Sequence, residues 1–270
     1  MSIGSFILIR DESPWIGAHL ASWLPYLDEM VLFDGNSKDG TLEVIRAFRD
    51  SHPDGHKITL VEDRDPKNLR EDYTRLFNEA LHSLKTDWAF FLHPDMLPEN
   101  PEALKRVGTD GVAFYTHMRS FAGNLDGNLL EISGRGGIWK NIYRLRNPDL
   151  GAHYHGSYGA GNEDVYFSDI TGDEHKPYAK PELYPYEVRD SGLRIMHFSD
   201  VRKPWRRLGR MKECLKNQGI PADMVDDIAA KHPRVTLKDG PDYVGIEYRF
   251  TPAQYPRIFT TWKDTLAVKT

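Results

Sequence analysis

The chain has 270 residues, 40% hydrophobic and 28% charged, with a formal net charge of -5; that suits one large globular domain, and the acidic balance excludes a polyanion binder over the whole surface. No apolar run approaches the roughly 18 residues of a membrane span, and Met1-Ser2-Ile3-Gly4-Ser5 lacks the basic and apolar regions of a secretory leader. The lone Cys214, better suited to packing than to nucleophilic chemistry, excludes an internal disulfide and fits a reducing, cytoplasmic compartment.

Ser5 to Ile9 reads as a first buried strand ending at Arg10-Asp11-Glu12. Ser13-Pro14 then has the form of a helix start, with Ser as cap and Pro at the first helical position. Ile16, Leu20, Trp23 and Leu24 give that helix one apolar stripe. Met30 to Phe33 is a second strand, followed by the turn-rich loop Asp34-Gly35-Asn36-Ser37-Lys38-Asp39-Gly40-Thr41, in which Asp39 and Thr41 suit helix capping. A helix carrying Leu42, Ile45 and Phe48 follows, then a strand from Ile58 to Val61 and a long helix from Asn68 to Leu84. Trp88 to Leu92 is a fourth, unbroken apolar strand. This alternation predicts a parallel sheet wrapped by helices. No Gly-x-Gly-x-x-Gly follows the first strand and no Walker loop occurs, which disfavours a dinucleotide or P-loop site.

The texture changes after Asp95. A short helix is predicted over Glu102 to Val107, and strands over Gly111 to Met118, Leu129 to Ser133 and Ile138 to Leu145. Residues 147 to 192, rich in Gly, Tyr, His, Asp and Pro, predict a long irregular loop or lid. Leu193 to Met196 predicts a short strand ending at His197, followed by a basic helix over Pro204 to Asn217 and another near Ala222 to Ala230. The aromatics of Pro233 to Thr270 read as packing.

The strand end His93-Pro94-Asp95 concentrates the chemistry. Pro94 cannot donate to a sheet ladder. In an extended segment, His93 and Asp95 leave on the same side. An imidazole beside a carboxylate at the carboxyl end of a central strand is where an open α/β sheet keeps its ligand; the competing reading is a polar turn after a core strand. The cluster Arg202, Lys203, Arg206, Arg207, Arg210 and Lys212, with Trp205, has the chemistry of a nucleic-acid contact. The acidic net charge favours a solvated or diphosphate-facing helix over that nucleic-acid partner.

Three stretches resemble the GT-A glycosyltransferases, family 2-like. They are Ile9-Arg10-Asp11-Glu12 before a Trp-Ile helix; the loop Asp34 to Thr41, where the family typically has Asp-Gly-Gly-Ser-x-Asp-Gly-Thr; and Phe91-Leu92-His93-Pro94-Asp95, in the place of the family's Asp-x-Asp motif. Met196-His197-Phe198 with its basic helix resembles the family's C-terminal histidine and the Arg/Lys-rich helix after it. The likeness covers residues 5 to 107 closely and 138 to 212 loosely.

The resemblance implies an α/β GT-A fold: a Rossmann-like, mostly parallel sheet with flanking helices and a small C-terminal helical extension. It divides the chain into a nucleotide-sugar-binding half (1–107), an acceptor-side half (108–212) and the extension (213–270). It implies an inverting hexosyltransferase that takes a nucleotide-sugar, a UDP-sugar first, and transfers to a glycan or other hydroxyl-bearing acceptor. Asp11 and Asp34 would lie near base and ribose, where carboxylates accept from N–H and hydroxyl groups. Arg70 would meet the diphosphate. Asp95, with His93 and His197, would hold a divalent cation, Mn2+ or Mg2+. His93 stands where the family has its first aspartate, which removes a negative charge and suits Mg2+ less well. Glu163 and Asp164 are candidates for the general base, with His153 and His155 as rivals, since the acceptor hydroxyl must lose a proton. The alternative is a GT-A-like nucleotide- or glycan-binding protein with weakened catalysis.

Overall fold

The N-terminal apolar run forms β1 (Ile3–Ile9), which lies parallel between β2 (Glu29–Asp34) and β4 (Trp88–Phe91); β3 (Ile58–Glu62) extends the parallel block beyond β2. The computed structural model describes residues 1–62, 73–108, 111–123, 129–145, 150–155, 164–169, 174–175, 188–201, 208–209, 211–212, 215–216, 219–231 and 249–252. Helices α1 (Ser13–Trp23), α2 (Thr41–Ser51) and α3 (Tyr73–Ser83) alternate with these strands, as the apolar periodicity requires. Residues 68 to 72 of the expected long helix lie outside the described residues.

Strands read as unbroken apolar runs because both faces are buried. Ile7, Leu32 and Phe90 face a core shared with Ile16, Leu20 and Trp23 of α1 and Ile45 of α2. Their neighbours Phe6, Val31, Ala89 and Phe91 face the opposite core, with Leu76, Phe77, Ala80 and Leu81 of α3. Phe6, Phe77 and Phe91 form a ring cluster with centroids 4.7 to 5.2 Å apart. Each such buried side chain stabilises the fold by about 1.5–3 kcal/mol relative to exposure.

The rest of the chain continues the same sheet. β5 (Met96–Pro98), β6 (Ala113–Gly123), β7 (Leu129–Arg144), β11 (Val188–Val201) and β12 (Arg249–Pro252) give the order β3-β2-β1-β4-β7-β6-β11-β5, with β12 on β7. The fold is α/β, parallel through its first four strands. Beyond β4, among the described residues, only β6 and β11 pair in parallel. Arg119 of β6 ties this half together, bonded to Glu131 of β7 at 2.6 and 2.9 Å and also to Glu99, which lies 3.3 Å from Arg194 of β11.

Several expectations are corrected. The helix expected with one apolar stripe, α1, is buried nearly all round, because it also packs Trp15 and Ala18 against Leu97, Phe121, Met196 and Phe198. Its cap is Glu12 with no side-chain bond, not the Ser13 hydroxyl; Ser13 donates to Asp39 from the next loop. The expected strands at 129–133 and 138–145 are one strand, β7, with a register shift opposite Arg119/Ser120. The expected irregular segment 147–192 contains β8 (Leu150–His155), β9 (Asp164–Asp169) and β10 (Glu174–His175), a separate antiparallel sheet, and the start of β11. Short strands of mixed polarity leave no alternation to read, and their pairing decides them. Residues 101–106 form a 3-10 turn in place of the short α-helix. Near the C-terminus, Met211 and Leu215 pack on Val225 and Ala229 of α4 (Ala222–Lys231) as a small core of their own. No helix among the described residues is long and apolar enough to cross a membrane.

The loops after β1 and β2 are joined by Asp39. One of its oxygens accepts from Ser13 N–H and Oγ at 3.2 and 3.0 Å, and the other accepts from Thr41 N–H and its hydroxyl. It therefore caps α1 from a distance and α2 locally, which agrees with the capping role read from the sequence. Gly40, the residue before α2, has φ 88, a left-handed conformation that glycine adopts without strain. Burial pushes the Asp39 carboxyl up, but the four hydrogen bonds from Thr41 and Ser13 outweigh it and hold it below its ordinary value of 3.8.

A folded value below the unfolded one gives stability that is present above pH 3.8 and lost as pH falls below it. Asp39→Ala should therefore cost about 1–2 kcal/mol at neutral pH, with the deficit shrinking toward pH 3 in urea melts; an equal deficit at both pH values would contradict the capping account. Phe77→Ala should cost about 3–5 kcal/mol, seen as a lower urea midpoint at unchanged slope.

Candidate active site

The strand end expected to carry the chemistry is built by three neighbours. β4 pairs with β7 only as far as Phe90 opposite Ile142. The buried Asn141 amide then donates to the Phe91 carbonyl at 3.3 Å and is itself held by Thr116 Oγ at 3.1 Å. The strand stops at Phe91, one residue earlier than expected. His93 and Asp95 do not lie in an extended segment: Met96 N–H donates to His93 O at 3.0 Å and closes a turn over Pro94 and Asp95. Proline favours such a turn because its φ is already fixed there.

β11 supplies the third residue. His197 does not end a strand: β5 pairs with β11 only as far as His197, but β6 stays alongside in parallel and carries β11 on to Val201. His197 stands opposite Met96, and Phe198 N–H donates to Asp95 O at 2.9 Å. His197 Nε2 lies 3.4 Å from Asp95 Oδ1, whose side chain is 3% exposed. The His93 and His197 rings are parallel to within 16° with centroids 6.0 Å apart, and His93 lies within 10° of parallel to Trp139 at 5.7 Å. His93, Asp95 and His197 are therefore brought together. His197 Nδ1 is buried without a hydrogen-bond partner.

Asp11 and Asp34 form a second group at the same carboxyl edge of the parallel block. Asp34, 1% exposed, accepts from Ser37 N–H at 3.0 Å and from its hydroxyl. Asp11 N–H donates to Ser37 Oγ at 2.9 Å, and the Asp11 carboxylate accepts from Lys38 N–H at 2.7 Å. Asp11 and Asn36 both have left-handed φ, 56 and 64, which these residue types tolerate best after glycine. The two carboxylates shape the loop that joins them.

Arg70 and Glu163 lie outside the described residues, as do Arg202 to Arg207, Arg210 and Cys214. Asp164 opens β9 opposite His155 of β8, and His153 of that strand stands opposite Tyr166. This small sheet leans on α3, where His82 Nε2 meets the Ala152 carbonyl at 2.9 Å. Lys212 of the basic cluster is paired with Asp226 at 3.0 Å.

As a cation site, the donor types are suitable but the arrangement is not a ligand set. Among the described residues no three His, Cys, Asp or Glu side chains converge on one point. Asp95 and His197 face each other instead, His197 Nε2 turned toward Asp95 Oδ1.

Sequence reasoning missed His19 and Trp23. His19 Nδ1 lies 3.1 Å and Trp23 Nε1 2.8 Å from the Met96 carbonyl oxygen, just beyond Asp95. A carbonyl only accepts, so His19 carries its proton on Nδ1. Burial lowers its pKa from 6.5 to about 4, which keeps the ring neutral. The available signal was a polar imidazole within the buried face of an apolar helix.

No protein-family model matches the chain, and no curated protein does. Among solved structures, it is similar to the mannosyltransferase PcManGT from Pyrobaculum calidifontis in complex with GDP-Man and Mn2+ (22% identity, 42% of this chain and 34% of that one, TM-score 0.36). It is also similar to S. aureus TarS 1-349 (14% identity, 47% and 37%, TM-score 0.36). A third is glucosyl-3-phosphoglycerate synthase from Mycobacterium tuberculosis in complex with Mn2+, UDP and glucosyl-3-phosphoglycerate (18% identity, 44% and 44%, TM-score 0.33). The chain thus spans well under half the length of each of these proteins. The expected likeness to GT-A-type glycosyltransferases is found, and it is a likeness of fold.

Proposed function

We propose that the chain moves a sugar, a hexose first, from a nucleotide-diphosphate-sugar to an acceptor hydroxyl at the carboxyl edge of its parallel strands. One observation carries the reading. His93, Asp95 and His197 meet at the end of β4, where the sequence resemblance sets the donor diphosphate, and the Asp11–Ser37–Asp34 loop lies on the same edge. In this reading residues 1–107 serve the donor, residues 108–212 the acceptor, and 213–270 are an extension.

In the transfer, the anomeric carbon–oxygen bond to the diphosphate breaks and the acceptor oxygen bonds to that carbon from the opposite face, inverting it. The departing nucleoside diphosphate gains negative charge. Imidazole N–H groups of His93 and His197 are donors suited to that oxygen, and a largely buried setting strengthens them. Arg70 is assigned to the diphosphate, Asp11 and Asp34 to the nucleoside side. Asp164 or Glu163 takes the acceptor's proton. A divalent cation would supply further charge stabilisation to the leaving group. The described side chains do not form its ligand set, so no step is routed through it. UDP-sugars are the first donors to test; a glycan hydroxyl is the first acceptor class.

A second reading has support of its own. Asp34 has both oxygens engaged by Ser37, and Asp95 is nearly sealed beside His197. Carboxylates used in this way suit a nucleotide- or glycan-binding protein with weakened catalysis.

Melting curves should separate the readings. UDP-, GDP-, ADP-, CMP- and dTDP-sugars, each with and without Mn2+, are added to the whole chain. A bound donor at about 100 times its Kd should stabilise the fold by about 2.7 kcal/mol, and Asp95→Ala should lose that gain. Release of nucleoside diphosphate by the parent but not by Asp95→Ala supports the transferase. A shift without turnover selects the binding protein, and no shift with any nucleotide-sugar overturns both. A gain equal with and without Mn2+ removes the cation from the reading.

A further inference from the structure

Two side chains of α1 end on a single backbone atom beside the site. His19 and Trp23 are four residues apart, so they leave one face of the helix. Both point an N–H at the Met96 carbonyl oxygen, at 3.1 and 2.8 Å. An oxygen with two lone pairs is thereby fully used. Met96 is no ordinary strand residue. Its own N–H closes the turn onto His93 O, and it stands opposite His197 in β11. On the far side of the turn, Phe198 N–H holds Asp95 O at 2.9 Å. The turn bearing His93 and Asp95 is thus gripped from α1 on one flank and β11 on the other.

Packing alone does not call for a histidine here. His19 is fully buried, and its Nε2 has no hydrogen-bond partner. An unsatisfied buried nitrogen is destabilising, which a leucine of similar bulk would avoid. What the imidazole adds is direction: a rigid N–H fixed on the carbonyl that follows Asp95. We propose that His19, seconded by Trp23, is a positioning residue that sets the His93–Met96 turn for donor binding without touching the donor. The inference rests on the reading of that turn as the donor-facing end of β4.

Amide hydrogen exchange on the full chain tests it independently of activity. His19→Leu removes the donor and keeps the bulk; His19→Asn keeps an N–H one bond beyond Cγ, where Nδ1 was. In His19→Leu, exchange at the Met96 and Phe198 amides should rise at least tenfold, while the Ile7 and Leu32 amides in the central strands change far less. His19→Asn should return both site amides toward the parent. Trp23→Phe, which removes the other donor, should loosen the same two amides and serves if His19→Leu does not fold. A uniform rise across β1, β2 and the turn, or no rise at Met96 and Phe198, overturns the proposal. In the donor melting assay, His19→Leu should weaken nucleotide-sugar affinity at least tenfold, with recovery in His19→Asn. Selective loosening with undiminished donor affinity would also overturn it. A parent that binds no nucleotide-sugar removes the functional reading alone, and the two site amides still decide whether His19 sets the turn.

Discussion

Three residues of β5 laid against β11 decide where this molecule can do chemistry. That short antiparallel pairing sets Met96 opposite His197. It brings a histidine from late in the chain against a carboxylate at the end of β4. Parallel strands alone would leave Asp95 at the end of a strand with only local neighbours. The added flank gives it an imidazole partner, a bonded carbonyl and a nearly dry setting, in which electrostatic interactions are strong. The Asn141 amide, holding the last carbonyl of β4, makes the handover from strand to turn without leaving a buried acceptor unpaired.

The aspartates of the first two loops hold those loops in shape. Asp34 and Asp39 accept from backbone and hydroxyl groups within the second loop, and Asp11 accepts from Lys38 N–H across the two loops. Such bonds fix loop backbones that would otherwise need ordering when a ligand arrives, and preorganisation of this kind lowers the entropic cost of binding.

The first half was legible in the sequence because strands covered on both faces write themselves as apolar runs, and Phe6/Ile7, Val31/Leu32 and Ala89/Phe90 do turn to opposite cores. The grouping of His93, Asp95 and His197 was legible through family resemblance, not through spacing. The spacing argument assumed an extended segment, whereas Pro94 sits in a turn. His197 was expected at a strand end, but parallel pairing with β6 carries β11 on to Val201. His19 was invisible for a different reason. Its partner is a backbone carbonyl 77 residues away, and no side-chain pattern marks a carbonyl. The sheet of β8, β9 and β10 was hidden because short strands of mixed polarity carry their signal in pairing alone.

The margin of the main sheet next to the site is unusual in one respect. Its outermost strand there, β5, has three residues and ends in Pro98. So short a border presents few free amide and carbonyl groups, and the proline offers no amide at all. A stray strand from another molecule finds no template to extend. The border of the sheet beside the site therefore resists intermolecular sheet growth.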